Sequence, residues 1–303
     1  MKCPECNDEK SVIKSGIQRT KKGNIQRFYC KNCDNYFSDS KIPYTQYREK
    51  VIFYAIEQYN KGYPIKEVKK RTGKKYSSSP PIQTIYSWLK RYEDTLTFIR
   101  LRRNYDIHPD NVITTHTFNH QQVYPFKYHN LKLNFSAQDY PQLRRYISWV
   151  ERSLNDKIFL KGPRASSTTI ENNSSLEKKT NLSPELTRLA LLTKQRNETT
   201  HETVERFFLI NDSKTVCTEL PVFLKENETG LIDLDFPLTG HIDMIQIRSK
   251  KVYIMDYKKN LRNPEQHESQ LILYKEALHN RTSISKHNII LAVFNEHEYH
   301  EFT

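Results

Sequence analysis

Gly240-His241-Ile242-Asp243, the polar turn Arg248–Lys251 and Val252-Tyr253-Ile254-Met255-Asp256-Tyr257-Lys258 carry the strongest structural signal in this chain. They set one carboxylate ahead of an Asp-x-Lys on a strand. Side chains alternate along a strand, so Asp256 and Lys258 project from one face, while Val252, Ile254 and Tyr257 supply a buried or supporting pattern. A hairpin through the polar turn returns Asp243 to the side of Asp256. Two carboxylates and an ammonium gathered this way hold a hard divalent cation through oxygen and steady a water or a developing oxyanion. Taken alone, Asp-x-Lys has a plainer reading: a surface ion pair worth about 0–1 kcal/mol.

Other pieces stand around the hairpin in a fixed order. Pro264 opens a predicted helix with Gln270 and Tyr274 at i and i+4, on one face. Upstream, Thr200-His201-Glu202 lies in a helical stretch ending near Phe208, and Glu219 lies in Val216–Val222. The order His201, Glu219, Asp243, Asp256-x-Lys258, Gln270-x-x-x-Tyr274 resembles the RecB-type branch of the PD-(D/E)XK nuclease superfamily over the last third of the chain, with Asn288–Phe294 as the final strand.

That resemblance implies roles. His201, Asp243 and Asp256 would be Mg²⁺ or Mn²⁺ ligands, joined by the main-chain carbonyl of Tyr257. Lys258 would orient the attacking water or stabilise charge on the phosphate, making Asp243, Asp256 and Lys258 the catalytic set. Gln270 and Tyr274 would brace the site or touch the DNA backbone; Glu219 would reach the metal through water or be an ordinary strand carboxylate. Some RecB-type nucleases carry a four-cysteine iron–sulfur cluster. Cys217 is the only cysteine beyond Cys3, Cys6, Cys30 and Cys33, so no such cluster is expected.

Those four cysteines form two Cys-x-x-Cys knuckles, Cys3–Cys6 and Cys30–Cys33, separated by enough chain for a hairpin turning at Lys21-Lys22-Gly23-Asn24. Paired thiolates at this spacing close a tetrahedral Zn²⁺ site with no open position, hence a structural one. A redox Cys-x-x-Cys would sit beside a βαβ pattern, which is absent. The surrounding residues resemble the zinc ribbon that begins some insertion-sequence transposases. Beyond it, Val51, Phe53–Ala55, Ile56 and Tyr59 form an apolar helical stripe that stops at Gly62. Pro64–Gly73 reads as a short helix ending at its glycine, and Pro81–Tyr92 as another with proline in its first turn. The pair resembles a helix-turn-helix, with a connection longer than the minimal turn.

Charge favours nucleic acid as the partner of this region. Residues 1–103 hold 23 Lys+Arg against 10 Asp+Glu, and the rest of the chain is balanced, so the whole formal charge of +13 resides there. Such a module neutralises phosphates and gains affinity by releasing counterions.

The expected architecture is multidomain. A small zinc ribbon occupies 1–40 and an all-α helix-turn-helix DNA-binding domain 41–103. A linker and accessory segment fills 104–181, and an α/β restriction-endonuclease-like domain with a central mixed sheet fills 182–303. Within the accessory segment, Tyr124–Phe135 looks strand-like, Tyr140–Leu154 helical, and Lys161–Lys179 a solvated loop. Lys127, His129 and Lys132 on that strand are candidate DNA contacts, or the strand is a supporting flap of the nuclease domain. No run approaches the roughly 20 apolar residues that span a membrane. Zinc ligands from Cys3 leave no room for a cleavable signal, and reduced thiols place the protein in the cytoplasm, with DNA. The sequence thus reads as a DNA-binding, metal-dependent nuclease of unknown oligomeric state. Two alternatives compete: a DNA-binding regulator with an inactive nuclease fold, against which the intact Asp243, Asp256 and Lys258 argue, and a transposase-related protein, for which no three-carboxylate core is found.

Overall fold

A computed structural model describes all 303 residues except 4, 5, 7, 21, 22, 39–46, 121, 161, 172 and 173. At the N-terminus, β1 (Val12–Thr20), β2 (Gly23–Cys30) and β3 (Asn35–Ser38) form an antiparallel sheet. The Lys21-Lys22 part of the expected hairpin turn lies outside the described residues. Four helices follow: α1 (Glu49–Asn60), α2 (Ile65–Tyr76), α3 (Ile82–Tyr92) and α4 (Phe98–Asn104).

Gly62 does follow the end of α1, with a φ of +92° that an L side chain rarely adopts, and any side chain there would strike the carbonyl of Ile107. Gly73 does not end α2. The helix runs on to Tyr76 and stops at Ser77, whose φ is +50°. Gly73 instead admits Ser79 of the α2–α3 connection, 3.3 Å from where a Cβ would stand, so it serves packing rather than termination.

The remainder is built on an eight-stranded mixed sheet. Its strands are β4 (Ile113–His120), β5 (Gln122–His129), β6 (Leu176–Lys178), β7 (Thr215–Leu224), β8 (Leu238–Arg248), β9 (Lys251–Tyr257), β10 (Ile289–Phe294) and β11 (Tyr299–Phe302). Their order is β4-β5-β7-β8-β9-β10-β11-β6. Among these strands β9 and β10 pair in parallel, as the crossover through α9 (Glu268–Thr282) requires, and the rest pair antiparallel. The β8–β9 hairpin pairs Met244 with Met255 and Arg248 with Lys251, turning through Ser249 and Lys250, both at positive φ. That register sets Asp243 across from Asp256. β10 is not the last strand: β11 pairs with it, and β6, from the stretch expected to be a loop, pairs with β11. The strand-like run Tyr124–Phe135 divides, with β5 giving way to α5 (Asn130–Asp139).

Alternation along β9 divides the core. Val252 and Ile254 join a cluster with Leu271, Tyr274 and Leu278 of α9 and Leu143, Tyr146 and Ile147 of α6 (Pro141–Ser153). Met255 and Tyr257 join another, with Leu186 and Ala190 of α7 (Ser183–Thr193) and Val204, Phe207 and Phe208 of α8 (Thr200–Asn211). Val51, Ile52, Phe53, Ala55 and Ile56 of α1 belong to this second cluster, with Phe53 set edge-on to Phe207 at 6.1 Å. The basic helical region and the sheet therefore share one core.

Candidate active site

Three elements converge where β7, β8 and β9 lie side by side. α8 begins with a full capping box: the Thr199 hydroxyl accepts from the Glu202 N–H, and the Glu202 carboxylate accepts from the Thr199 N–H. This fixed start presents His201 and, one turn on, Glu205 toward the sheet. β7 contributes Glu219 at φ +54°, a left-handed residue inside a strand, where the ladder pairs Thr218 with Met244 and Leu220 with Ile242. Such a conformation in a non-glycine residue is sparsely populated and concentrates at functional sites. β8 contributes Asp243, whose Oδ2 accepts a 3.1 Å hydrogen bond from the Tyr257 N–H of β9.

Ligand atoms of His201, Glu205, Glu219 and Asp243 all lie within 4.8 Å of one another. His201 Nε2 is 3.1 Å from both Glu205 Oε1 and Asp243 Oδ2, yet one Nε2–H can be donated to only one of them. Asp256 is fully buried beside Asp243, and Lys258 Nζ sits 3.0 Å from its Oδ2. Apart from that ion pair and the Asp243 carboxyl, no donor among the described residues reaches either Asp256 oxygen. Four carboxyls, two of them short of donors, crowded around one imidazole and one ammonium, suit a hard divalent cation with oxygen and nitrogen ligands.

Proton affinities record the same crowding. The Asp243 carboxylate holds the His201 imidazolium up to about 12, against the opposing effect of burial. Burial, then the Glu205 and Asp243 charges, pushes Glu219 up to about 10. Burial also raises Glu205. Burial and the Asp243 charge raise Asp256 far above the carboxylate range. Burial would raise Asp243 too, but the His201 charge and hydrogen bond outweigh it and hold this carboxyl ionised. Burial would lower Lys258, and the Asp256 and Asp243 charges raise it instead. Protons and His201 thus balance charge that a cation would otherwise balance.

Tyr274 and Gln270 approach from α9. Gln270 Nε2 donates to the Tyr274 hydroxyl at 2.9 Å, and the buried Tyr274 ring presses onto β8 at Gly240, where a Cβ would overlap it. Sequence reading named His201, Glu219, Asp243, Asp256 and Lys258, which the structure brings together, but missed Glu205 and His241. Glu205 was signalled by its i+4 spacing from His201 on a capped helix. His241, two residues before Asp243 on β8, lies with Nδ1 4.0 Å from Glu219 Oε2 and stacks on Tyr124 at 4.3 Å. Lys132 and His129 are not DNA contacts: both are buried, and Lys132 Nζ donates to the Leu209 carbonyl at 2.5 Å.

The second cluster is the four cysteines, whose sulfurs also lie within 4.8 Å of one another. Cys3 to Cys33 and Cys6 to Cys30 are each 3.5 Å between sulfurs, close to the ~3.8 Å edge of a tetrahedron with zinc–sulfur bonds of about 2.3 Å. A hydrogen bond from the Asp8 backbone lowers the Cys6 thiol to about 7, while burial and the neighbouring sulfurs push the Cys33 thiol up.

Comparison with known families agrees with this geometry. A model of the PD-(D/E)XK nuclease superfamily matches residues 135–297, more than half the chain and every residue of the acidic site. The chain belongs to the PD-(D/E)XK nuclease superfamily. No curated protein and no solved structure matches it. Among the described residues, no helix is long and apolar enough to cross a membrane.

Proposed function

We propose that the protein is a metal-dependent deoxyribonuclease of the RecB type, whose N-terminal zinc ribbon and helix-turn-helix bring DNA to the acidic site. The observation that carries this reading is the His201–Glu205–Glu219–Asp243 cluster beside the Asp256–Lys258 pair, inside the segment matched to a nuclease superfamily. His201, Asp243 and Asp256, with the Tyr257 carbonyl, would hold Mg²⁺ or Mn²⁺, and Glu205 and Glu219 lie close enough to join them directly or through water. A cation there supplies Lewis-acid polarisation of a phosphoryl oxygen and a water of lowered pKa.

The chain's own groups do the rest. Lys258 stays charged and is anchored by Asp256, so its ammonium is aimed before substrate arrives, at the place where charge grows on the phosphate. Tyr274 and Gln270 lock α9 against β8 and hold the wall behind Asp243. Four zinc-bound thiolates would fix the ribbon, and the excess charge of residues 1–103 would bind phosphates. The test is cleavage of linear, circular, branched and single-stranded DNA with Mg²⁺, with Mn²⁺ and with neither. Cleavage requiring the metal and lost in Asp243→Asn supports the reading; metal present in the protein but no cleavage of any form overturns it.

A further inference from the structure

α6 turns one flank away from the core. Leu143, Tyr146, Ile147 and Val150 are buried, while Arg144, Arg145, Trp149 and Arg152 are exposed. Two adjoining cavities open on this flank, one of ≈ 530 Å³ reaching Lys225 and the other of ≈ 410 Å³ between Arg144 and Arg152; Arg145 and Trp149 line both. Trp149 is 41% exposed yet fixed in orientation: its ring stacks on Tyr146 at 5.8 Å and 18°, and leans on Phe223 at 6.2 Å. Two of the acids nearby are occupied, while Glu226, next to Lys225, is exposed. Glu228 pairs with Arg281, and Glu151 lies 3.3 Å from His116 and accepts from the Tyr128 hydroxyl. Among the described residues no ion pair holds the side chains of Arg144, Arg145, Arg152 or Lys225, although the Lys225 N–H donates to Glu228 Oε2 at 2.8 Å.

We infer that this flank binds single-stranded nucleic acid, with Trp149 stacking on an unpaired base and Arg145, Arg152 and Lys225 holding the phosphates on either side. A wet, pre-oriented tryptophan among unneutralised cations matches the two elements that single strands present, a bare base face and a phosphate chain. Duplex offers phosphates but keeps its base faces stacked on one another. An acidic peptide offers charge with no planar group for the ring. The placement rests on the nuclease reading: Phe223 follows Glu219 by four residues on β7, about 13 Å at 3.3 Å per residue, so a strand passing the acidic site reaches this flank.

The chain has two tryptophans, and Trp88 is only 6% exposed, so fluorescence quenching on titration reports chiefly on Trp149. We expect a short oligothymidylate, added to the full chain without Mg²⁺ or Mn²⁺, to quench Trp149 saturably. Arg145→Ala and Arg152→Ala should each weaken that titration severalfold, and Trp149→Ala should weaken binding of a labelled strand about tenfold. The arginine variants keep the reporter and lie on an exposed face, so a folding defect in Trp149→Ala leaves the test intact. No quenching, or arginine variants that bind as the unmodified chain does, would overturn the inference. So would equal quenching by thymidine monophosphate, which assigns a free-nucleotide pocket, or equal competition by polyglutamate, which assigns an acidic-peptide site. Because this readout needs no cleavage, its failure is distinct from failure of the nuclease assay.

Discussion

Mn²⁺ binding should expel protons, and their number tells which groups ligate. In the metal-free protein His201 is held up to about 12 and Glu219 to about 10, so both carry a proton near neutrality. A ligating imidazole nitrogen or carboxylate must give that proton up. The sign follows: rising pH removes the competing protons, so affinity increases, and the increase continues until Glu219 begins to ionise by itself near the value given above. With both groups as ligands, the logarithm of the Mn²⁺ affinity should rise by about 2 per pH unit between roughly pH 7 and pH 9. Titration calorimetry in buffers of different ionisation enthalpy counts the protons directly, and Glu219→Gln should lower the count by about one. A count near one would leave Glu219 reaching the metal only through water, and a count near zero would refute ligation by His201 as well.

Lys258→Ala should bind Mn²⁺ and fold normally but lose about 10²–10³ in cleavage rate, because the ammonium acts on the transition state rather than on the ion; a timed assay showing an unchanged rate would place the chemistry elsewhere. Cys30→Ser removes a fully buried member of the sulfur cluster, so zinc content by elemental analysis should fall below one per chain, with thermal unfolding of the nuclease domain little changed. Gly240→Ala forces a methyl into the Tyr274 ring, which is fully buried and cannot swing out, so a loss of about 1–3 kcal/mol in denaturant unfolding is expected, together with reduced cleavage.

Local chemistry made most of the acidic site legible. The β8–β9 hairpin announces itself through alternation and a polar turn, and Asp243 and Asp256 meet because the register Met244–Met255 follows from that turn. Glu219 could not be placed from sequence, since its role depends on a positive φ that no residue pattern around it requires. Gly73 misled because a glycine in a helical pattern can either stop the helix or admit a neighbour, and only the fold shows Ser79 against it. Strands β4 and β6 were hidden in polar stretches, each at a sheet edge, where one neighbour is solvent and hydrophobic alternation weakens, whereas β5 was legible in the strand-like run from Tyr124. The shared core was hidden differently. α1 buries Glu57, Gln58 and Asn60 alongside its apolar stripe, and polar letters in a sequence do not signal a buried second face.

Those polar letters connect the basic region to the acidic site. Glu57 accepts from Arg206 of α8, which also donates to Glu198 at 2.6 Å, and Asn60 donates to Asn211 of α8 at 2.9 Å. Arg206 is mostly buried, so removing either carboxylate would leave its charge poorly compensated in a dry site; the pairs fix the alignment of α1 on α8 more than they add net stability. The opposite side of α8 carries His201 and Glu205. A helix clamped behind by α1 and capped in front by Thr199 and Glu202 has little freedom to shift, and His201 Nε2 must stay within about 3 Å of two carboxylates for the cluster to exist. Movement of α1 would therefore be felt first at His201 and Glu205, the two members of the cluster that come from a helix rather than from the sheet.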